Sequence, residues 1–178
     1  MIGATIMLSF GAFWLLLGLY GGASARSLRL ALLLAGMGLA TGTGVMLRWS
    51  VRQSRGNPPL SAEEAAVRQQ TGRHFSWITA IEGGAILLAI VLLNAVRRPQ
   101  FIASVIAIIV GLHFFPLARL FGAHLYYATG TLGCAIGITG LLISDPAVRM
   151  SFVGLSFGSL LWLTVAAVLV KCFSTGTN

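Results

Sequence analysis

The sequence predicts an all-α fold, a polytopic transmembrane helical bundle of six spans in a single domain, and three observations carry that expectation. Of 178 residues, 57% are hydrophobic and 9% charged, with a mean hydropathy of +0.89, whereas about 25% of a soluble domain is charged. The apolar residues are gathered into unbroken runs of about 18 to 22, the length a helix needs to cross about 30 Å of hydrocarbon. None of the runs alternates with the period of two that a barrel strand carries. In lipid, backbone amides must be satisfied within a helix or a closed barrel, so runs of this kind become helices. The lipid bilayer is the chain's first partner.

Charge placement supports the same reading. The net charge of +8 and the pI near 11.1 would suit nucleic acid, but the basic residues stand at the ends of apolar runs and form no basic domain.

Ile2 to Gly22 is the first expected span. Ala23-Ser24-Ala25 resembles a signal cleavage site, yet no positive residue precedes the run, and it exceeds the roughly 7 to 15 residues of a signal core. Leu28 to Leu47 is the second span, with Ala35, Gly38 and Gly42 on one face where another backbone can approach closely. Its glycines lack the strand-turn-helix setting of a phosphate loop.

Residues 48–77 form the long polar segment. Asn57-Pro58-Pro59 stops any helix, and Ser61 followed by Glu64 is a capping box that starts a new one. That helix is expected to run into the third span, Ile78 to Val96, with Trp49 and Trp77 as interfacial anchors. Arg97-Arg98-Pro99-Gln100 is a turn, and Phe101 to Ala118 the fourth span. Leu125 to Ile143 is the fifth, closed by Ser144-Asp145-Pro146, and Ser151 to Val170 is the sixth. Gly130, Gly133, Gly137 and Gly140 recur every three or four residues along the fifth span, which makes it the tightest-packed helix expected.

Six spans place both termini and the long loop on one side, with seven positive residues there against five on the other. The positive-inside rule then puts both termini in the cytoplasm. No internal repeat of the transporter kind is visible.

Function must come from the few polar groups inside this framework. Glu82 is the one acidic residue within an apolar run, and an acid at a helix centre costs about 2.5 to 3.5 kcal/mol to insert, so it faces the interior and has a partner. His113, on the antiparallel fourth span, lies at matching depth, roughly 6 to 8 Å below the long-loop surface at 1.5 Å per residue. Arg119, His124, Tyr126 and Tyr127 cluster near the same end. Together these six are the candidate residues for a polar pocket that binds or passes a small solute or a proton, with Glu82 selecting charge and His113 tuning its protonation. His74, Thr5, Ser9, Thr41, Thr43, Thr129 and Thr164 fall near that depth as well, and Pro116 frees a backbone carbonyl nearby. A structural account stands beside this one. Arg119, His124 and the tyrosines are ordinary interfacial residues, Glu82 with His113 is also a helix-locking hydrogen bond, and Thr and Ser are common packing groups between membrane helices.

Other motifs fail on context. Glu63 to Arg68 matches the E-E-x-x-x-R pattern of intramembrane CAAX-type proteases, but the F-x-x-x-H and H-x-x-x-N that complete the set are missing. Gly154 to Gly158 spells G-x-S-x-G inside a span with no strand-to-helix elbow, and reads as a small-residue packing pair. No His pair has metal-ligand spacing, so neither a metal nor another cofactor is expected. Cys134 and Cys172 read as buried small apolar residues.

The segment GLHFFPLARLFG at Gly111 to Gly122, followed by His124-Leu125-Tyr126-Tyr127 and a glycine-rich run, resembles a group of uncharacterised small bacterial inner-membrane proteins with six spans. The resemblance covers the fourth and fifth spans. It implies an architecture and an inner-membrane location, and brings no activity. Two further readings stay open: a non-catalytic assembly protein whose glycine faces on the second and fifth spans meet a membrane partner or a second copy, and an intramembrane enzyme using two of Glu82, His113 and His124.

Overall fold

The computed structural model describes residues 2–22 and 61–175, and the described residues are helical apart from short connections, with no strand among them. Helix α1 is Ile2–Gly22, α2 is Ala62–Ala95, α3 is Ile102–Phe121, α4 is His124–Leu142 and α5 is Pro146–Thr175, with a short 3-10 turn at Pro99–Phe101 before α3. Four segments are long and apolar enough to cross a membrane: Gln69–Ala95, Pro99–Phe121, His124–Leu142 and Pro146–Val168. In α1 the apolar stretch is the shorter Met7–Tyr20. The described helices thus supply four spans and this shorter stretch, not six, and the expected second span, Leu28 to Leu47, lies outside the described residues.

Local signals set each boundary. α2 begins directly after Ser61 and continues without a break for 34 residues. It ends on Arg97 at φ 57°, with Arg98 N–H donating to Leu93 O at 2.8 Å and Arg97 N–H to Asn94 O at 3.0 Å. This is a left-handed helix stop that ordinarily selects glycine. α3 stops the same way at Gly122, φ 60°, where a side chain would be strained. α5 starts five residues before the expected sixth span, because Asp145 Oδ1 accepts the Ala147 and Val148 N–H groups at 2.8 and 3.0 Å while Pro146 opens the first turn. Asp145-Pro146 is thus a helix start as well as the end of the preceding element.

Packing proceeds by pairs. α1 runs along α5, α3 along α4, α2 rests on α3, and α4 touches α5. The α1–α5 seam is glycine against glycine. A Cβ at Gly18 would lie 2.5 Å from Leu155 N, one at Gly158 would lie 2.8 Å from Gly11 O, and one at Gly154 would strike Gly18. Trp14 closes on Phe157 with ring centroids 5.0 Å apart, and Trp162 Nε1 donates to Leu8 O at 3.3 Å. The G-x-S-x-G stretch is therefore part of a close helix crossing.

The glycine row of α4 is filled in the same manner. A Cβ at Gly130 would sit 2.8 Å from Gly111 O, at Gly133 2.8 Å from a Phe157 ring carbon, and at Gly137 2.7 Å from Ser104 O. At Gly140 it would strike Val153. The tight packing expected of this helix is made here by α3 and α5 of the same chain. Thr129 and Thr164 close the α4–α5 contact, their hydroxyls 2.9 Å apart. Cys134 is a free, half-buried thiol whose Sγ points to Ile108 O at 3.7 Å.

One charge is buried at the opposite end from the polar cluster. Arg149 is 3% exposed. Its Nε donates to Gly140 O at 3.0 Å and Ile143 O at 2.9 Å, its Nη1 to Gln100 O at 3.2 Å, and its Nη2 to the Ile143 and Ser144 carbonyls. The guanidinium carbon stands 4.2 Å from the centre of the Phe101 ring. Open carbonyls at a helix C-terminus carry partial negative charge, and the guanidinium fork supplies five donors to meet them. Arg149 thereby joins the end of α4 to the start of α3. Its sequence position showed only a positive charge between two spans.

Candidate functional site

α2 and α3 run antiparallel from the turn at residues 96–101, which sets their register. Glu82 lies 13 residues before the end of α2 and His113 lies 11 after the start of α3, about 20 and 17 Å from the turn at the helical rise. The two side chains therefore meet. His113 Nδ1 is 3.2 Å from Glu82 Oε2, and the side chains are only 10% and 14% exposed. The approach angle falls outside hydrogen-bond geometry, and Nδ1 makes no hydrogen bond. The pair is close without being locked. Glu82 also falls midway along Gln69–Ala95. This is deeper than expected, because the helix and its low charge extend well before Ile78.

Cavities flank the pair on two sides. An inner, partly open cavity of about 90 Å³ is lined by Met7 and Phe10 of α1, Phe75, Thr79 and Glu82 of α2, several residues of α3 including His113, Tyr126 of α4 and Leu161 of α5. A more open outer groove between α2 and α3 is walled by Ile78, Ile81, Ala85, Ile109, Leu112 and Pro116, with Glu82 and His113 at its floor. Pro116 has no N–H to give the Leu112 carbonyl, so a backbone acceptor without its helical donor belongs to that groove.

The inner wall is aromatic rather than polar, which corrects the expectation of a polar vestibule. Phe75 and Phe121 stack tilted at 6.1 Å, Phe121 meets Tyr126 edge-on at 6.5 Å, Tyr126 meets Phe114 at 5.7 Å, and Phe114 meets His113 at 6.2 Å. Thr79 and Tyr126 bring the only hydroxyls among the lining residues, and the neighbouring threonines are engaged elsewhere. Thr129 and Thr164 bond each other and the Leu125 and Leu160 carbonyls, and Thr131 bonds Tyr127 O.

The six expected site residues divide evenly. Glu82, His113 and Tyr126 line the cavity. Arg119, His124 and Tyr127 are exposed on the outside of the same end and do not line it. Arg119 is in the last turn of α3, where a cation suits the helix C-terminus. Tyr127 packs on Phe115 at 6.1 Å and on His124 at 6.4 Å. His74 is exposed, with Nδ1 3.0 Å from Gln70 O. Phe10, Phe75 and Phe121 are the lining residues that sequence reasoning passed over, since nothing in a run of apolar residues marks which rings converge from three helices. Among the described residues no three His, Cys, Asp or Glu side chains gather as a metal site would require.

An all-α chain with four apolar helices of spanning length and an ionisable pair buried between two of them is a membrane protein by class. Residues 76–171 match the model of a family of unknown function, DUF7010, and the chain belongs to that family. The matched region runs from within α2 to within α5 and so contains Glu82, His113 and the Gly111–Tyr127 segment. Neither the curated proteins nor the solved structures contain a match.

Proposed function

We propose that this protein is a six-span inner-membrane protein that binds a small solute in the cavity beside Glu82 and His113, with both termini on the cytoplasmic side and the second span at Leu28 to Leu47. Glu82 supplies the charge that selects the solute, and His113 sets the protonation of the carboxylate. The observation that carries this reading is the position of the pair between two voids. A purely structural pair is packed on all sides and hydrogen-bonded, because an unsatisfied polar group away from water is costly. Here a nitrogen with no hydrogen bond stands 3.2 Å from a carboxylate, with a cavity on either side.

Filling the cavity tests it. Thr79 is exposed and sits at the cavity rim, so Thr79→Trp brings an indole into the void at little cost to folding. A panel of cationic, neutral and anionic small molecules is screened for thermal stabilisation of the purified protein. Solutes that stabilise the wild type are expected to lose that effect in Thr79→Trp. A panel with no stabilising member, or stabilisation that Thr79→Trp leaves intact, would remove the cavity as a binding site.

A further inference from the structure

We infer that the occupant of the inner cavity is a small alkylammonium group, an inference that rests on the solute-binding reading above. The chemistry of the wall points there. Phe10, Phe75, Phe114, Phe121 and Tyr126 converge with one carboxylate, Glu82, and four of these rings form an unbroken edge- and face-contacting chain that reaches His113. Aromatic faces carry the negative part of the ring quadrupole and attract cations, and such cages are the usual receptors of methylated ammonium groups.

Other classes fit this wall less well. A metal or alkali ion needs several oxygen ligands to replace its water, and beside the carboxylate the wall offers a threonine and a tyrosine hydroxyl and one imidazole. An anion would meet Glu82. A neutral apolar molecule would suit the rings but would leave a buried carboxylate with only an ill-angled histidine. An ammonium group satisfies both: its charge pairs with Glu82, and its alkyl surface packs on the rings. At about 90 Å³, the space is smaller than the roughly 150 Å³ cavity known to hold benzene. The space is partly open, with Phe10 and Phe121 exposed at its edge, so an ammonium head can enter while the rest of its molecule stays outside.

The head group has two sources, a free solute or the ammonium headgroup of a lipid, and the test separates them. Calorimetry of the purified full chain in detergent compares choline with 3,3-dimethylbutan-1-ol, its neutral isostere in which carbon replaces nitrogen. Choline is expected to bind at least about tenfold more tightly, with the preference lost in Glu82→Gln and reduced in Phe121→Leu. Phe121 is half exposed, so its variant keeps the test informative if Glu82→Gln fails to fold. In nanodiscs of phosphatidylglycerol, adding phosphatidylcholine should abolish choline binding if lipid is the source and leave it unchanged if a free solute is. Equal affinity for choline and its isostere, both lost in Thr79→Trp, would overturn the ammonium assignment and leave the cavity as a binding site. Binding of neither, together with a panel in which no solute stabilises the protein, would overturn both.

Discussion

His113 and Glu82 face each other across the α2–α3 seam with 3.2 Å between Nδ1 and Oε2, at an angle that makes no hydrogen bond. The contact follows from two nearly equal chain lengths measured from one turn. It is also the only place among the candidate spans where an acidic side chain occurs. The α2–α3 contact includes this pair, and the proposed binding and charge selection rest on it.

Energetic coupling between the two should be measurable but modest. Polar pairs between membrane helices average about 0.6 kcal/mol and reach about 1.7. A double-mutant cycle with Glu82→Gln and His113→Leu, followed by reversible unfolding in mixed micelles, is expected to give a coupling of about 1 kcal/mol. Additive single-variant effects would mean the pair is a neighbour relation without interaction.

Arg149 should be the most costly single side chain to remove. Replacing it with Met leaves the carbonyls of Gly140, Ile143 and Gln100 without their donor, and charge-assisted hydrogen bonds contribute about 1.5 to 3 kcal/mol each before compensation. Arg149→Met is expected to destabilise by about 3 kcal/mol, and Phe101→Leu, which removes only the ring under the guanidinium, by about 1 kcal/mol or less at this contact. Equal effects would show that the carbonyl contacts contribute little.

The glycines should separate into two classes. Gly154→Val places a side chain against Gly18 and should part α1 from α5, destabilising the protein by about 1 to 3 kcal/mol. Gly84→Ala meets nothing within 4 Å, and alanine is favoured in a helix by about 1 kcal/mol over glycine, so it should be neutral or stabilising. Similar losses from both would place the seam elsewhere.

Relief of backbone strain gives a stabilising substitution. Arg97 holds a left-handed φ of 57° at the end of α2, and glycine adopts that conformation without the cost of about 1 kcal/mol that an L side chain carries. Arg97→Gly should raise the unfolding midpoint slightly, provided the loss of one charge is controlled by Arg98→Gln. A lower midpoint in Arg97→Gly alone would assign the guanidinium a contact of its own.

Much of this fold can be read from the sequence because its determinants are local or periodic. Run length marks the helices, and the spacing of Gly130 to Gly140 marks a close crossing. Counting residues from one turn is enough to bring Glu82 to His113. What could not be read depends on rotation and on convergence from separate helices. Arg149 looks like any loop cation until the open carbonyls of α4 are seen turning toward it. Phe10, Phe75 and Phe121 each lie in unremarkable apolar runs, and only the rotation of α1, α2 and α3 about their axes directs them into one void. Arg119, His124 and Tyr127 lie near the site in sequence and at the right end, but their helix positions turn them outward. The glycine row was recognised as a packing face, while which helix filled it was a matter of tertiary arrangement.

Access to Glu82 in the folded protein is the most direct test of the central claim. Dicyclohexylcarbodiimide, an apolar reagent that enters from lipid, adds covalently to accessible protonated carboxyl groups, and mass spectrometry locates the adduct. With Glu82 on a cavity wall, the folded protein should carry an adduct at that residue, and Glu82→Gln should carry none there. A Glu82 that stays unmodified in the folded protein yet reacts once the protein is unfolded in detergent would show a sealed structural pair and contradict the account.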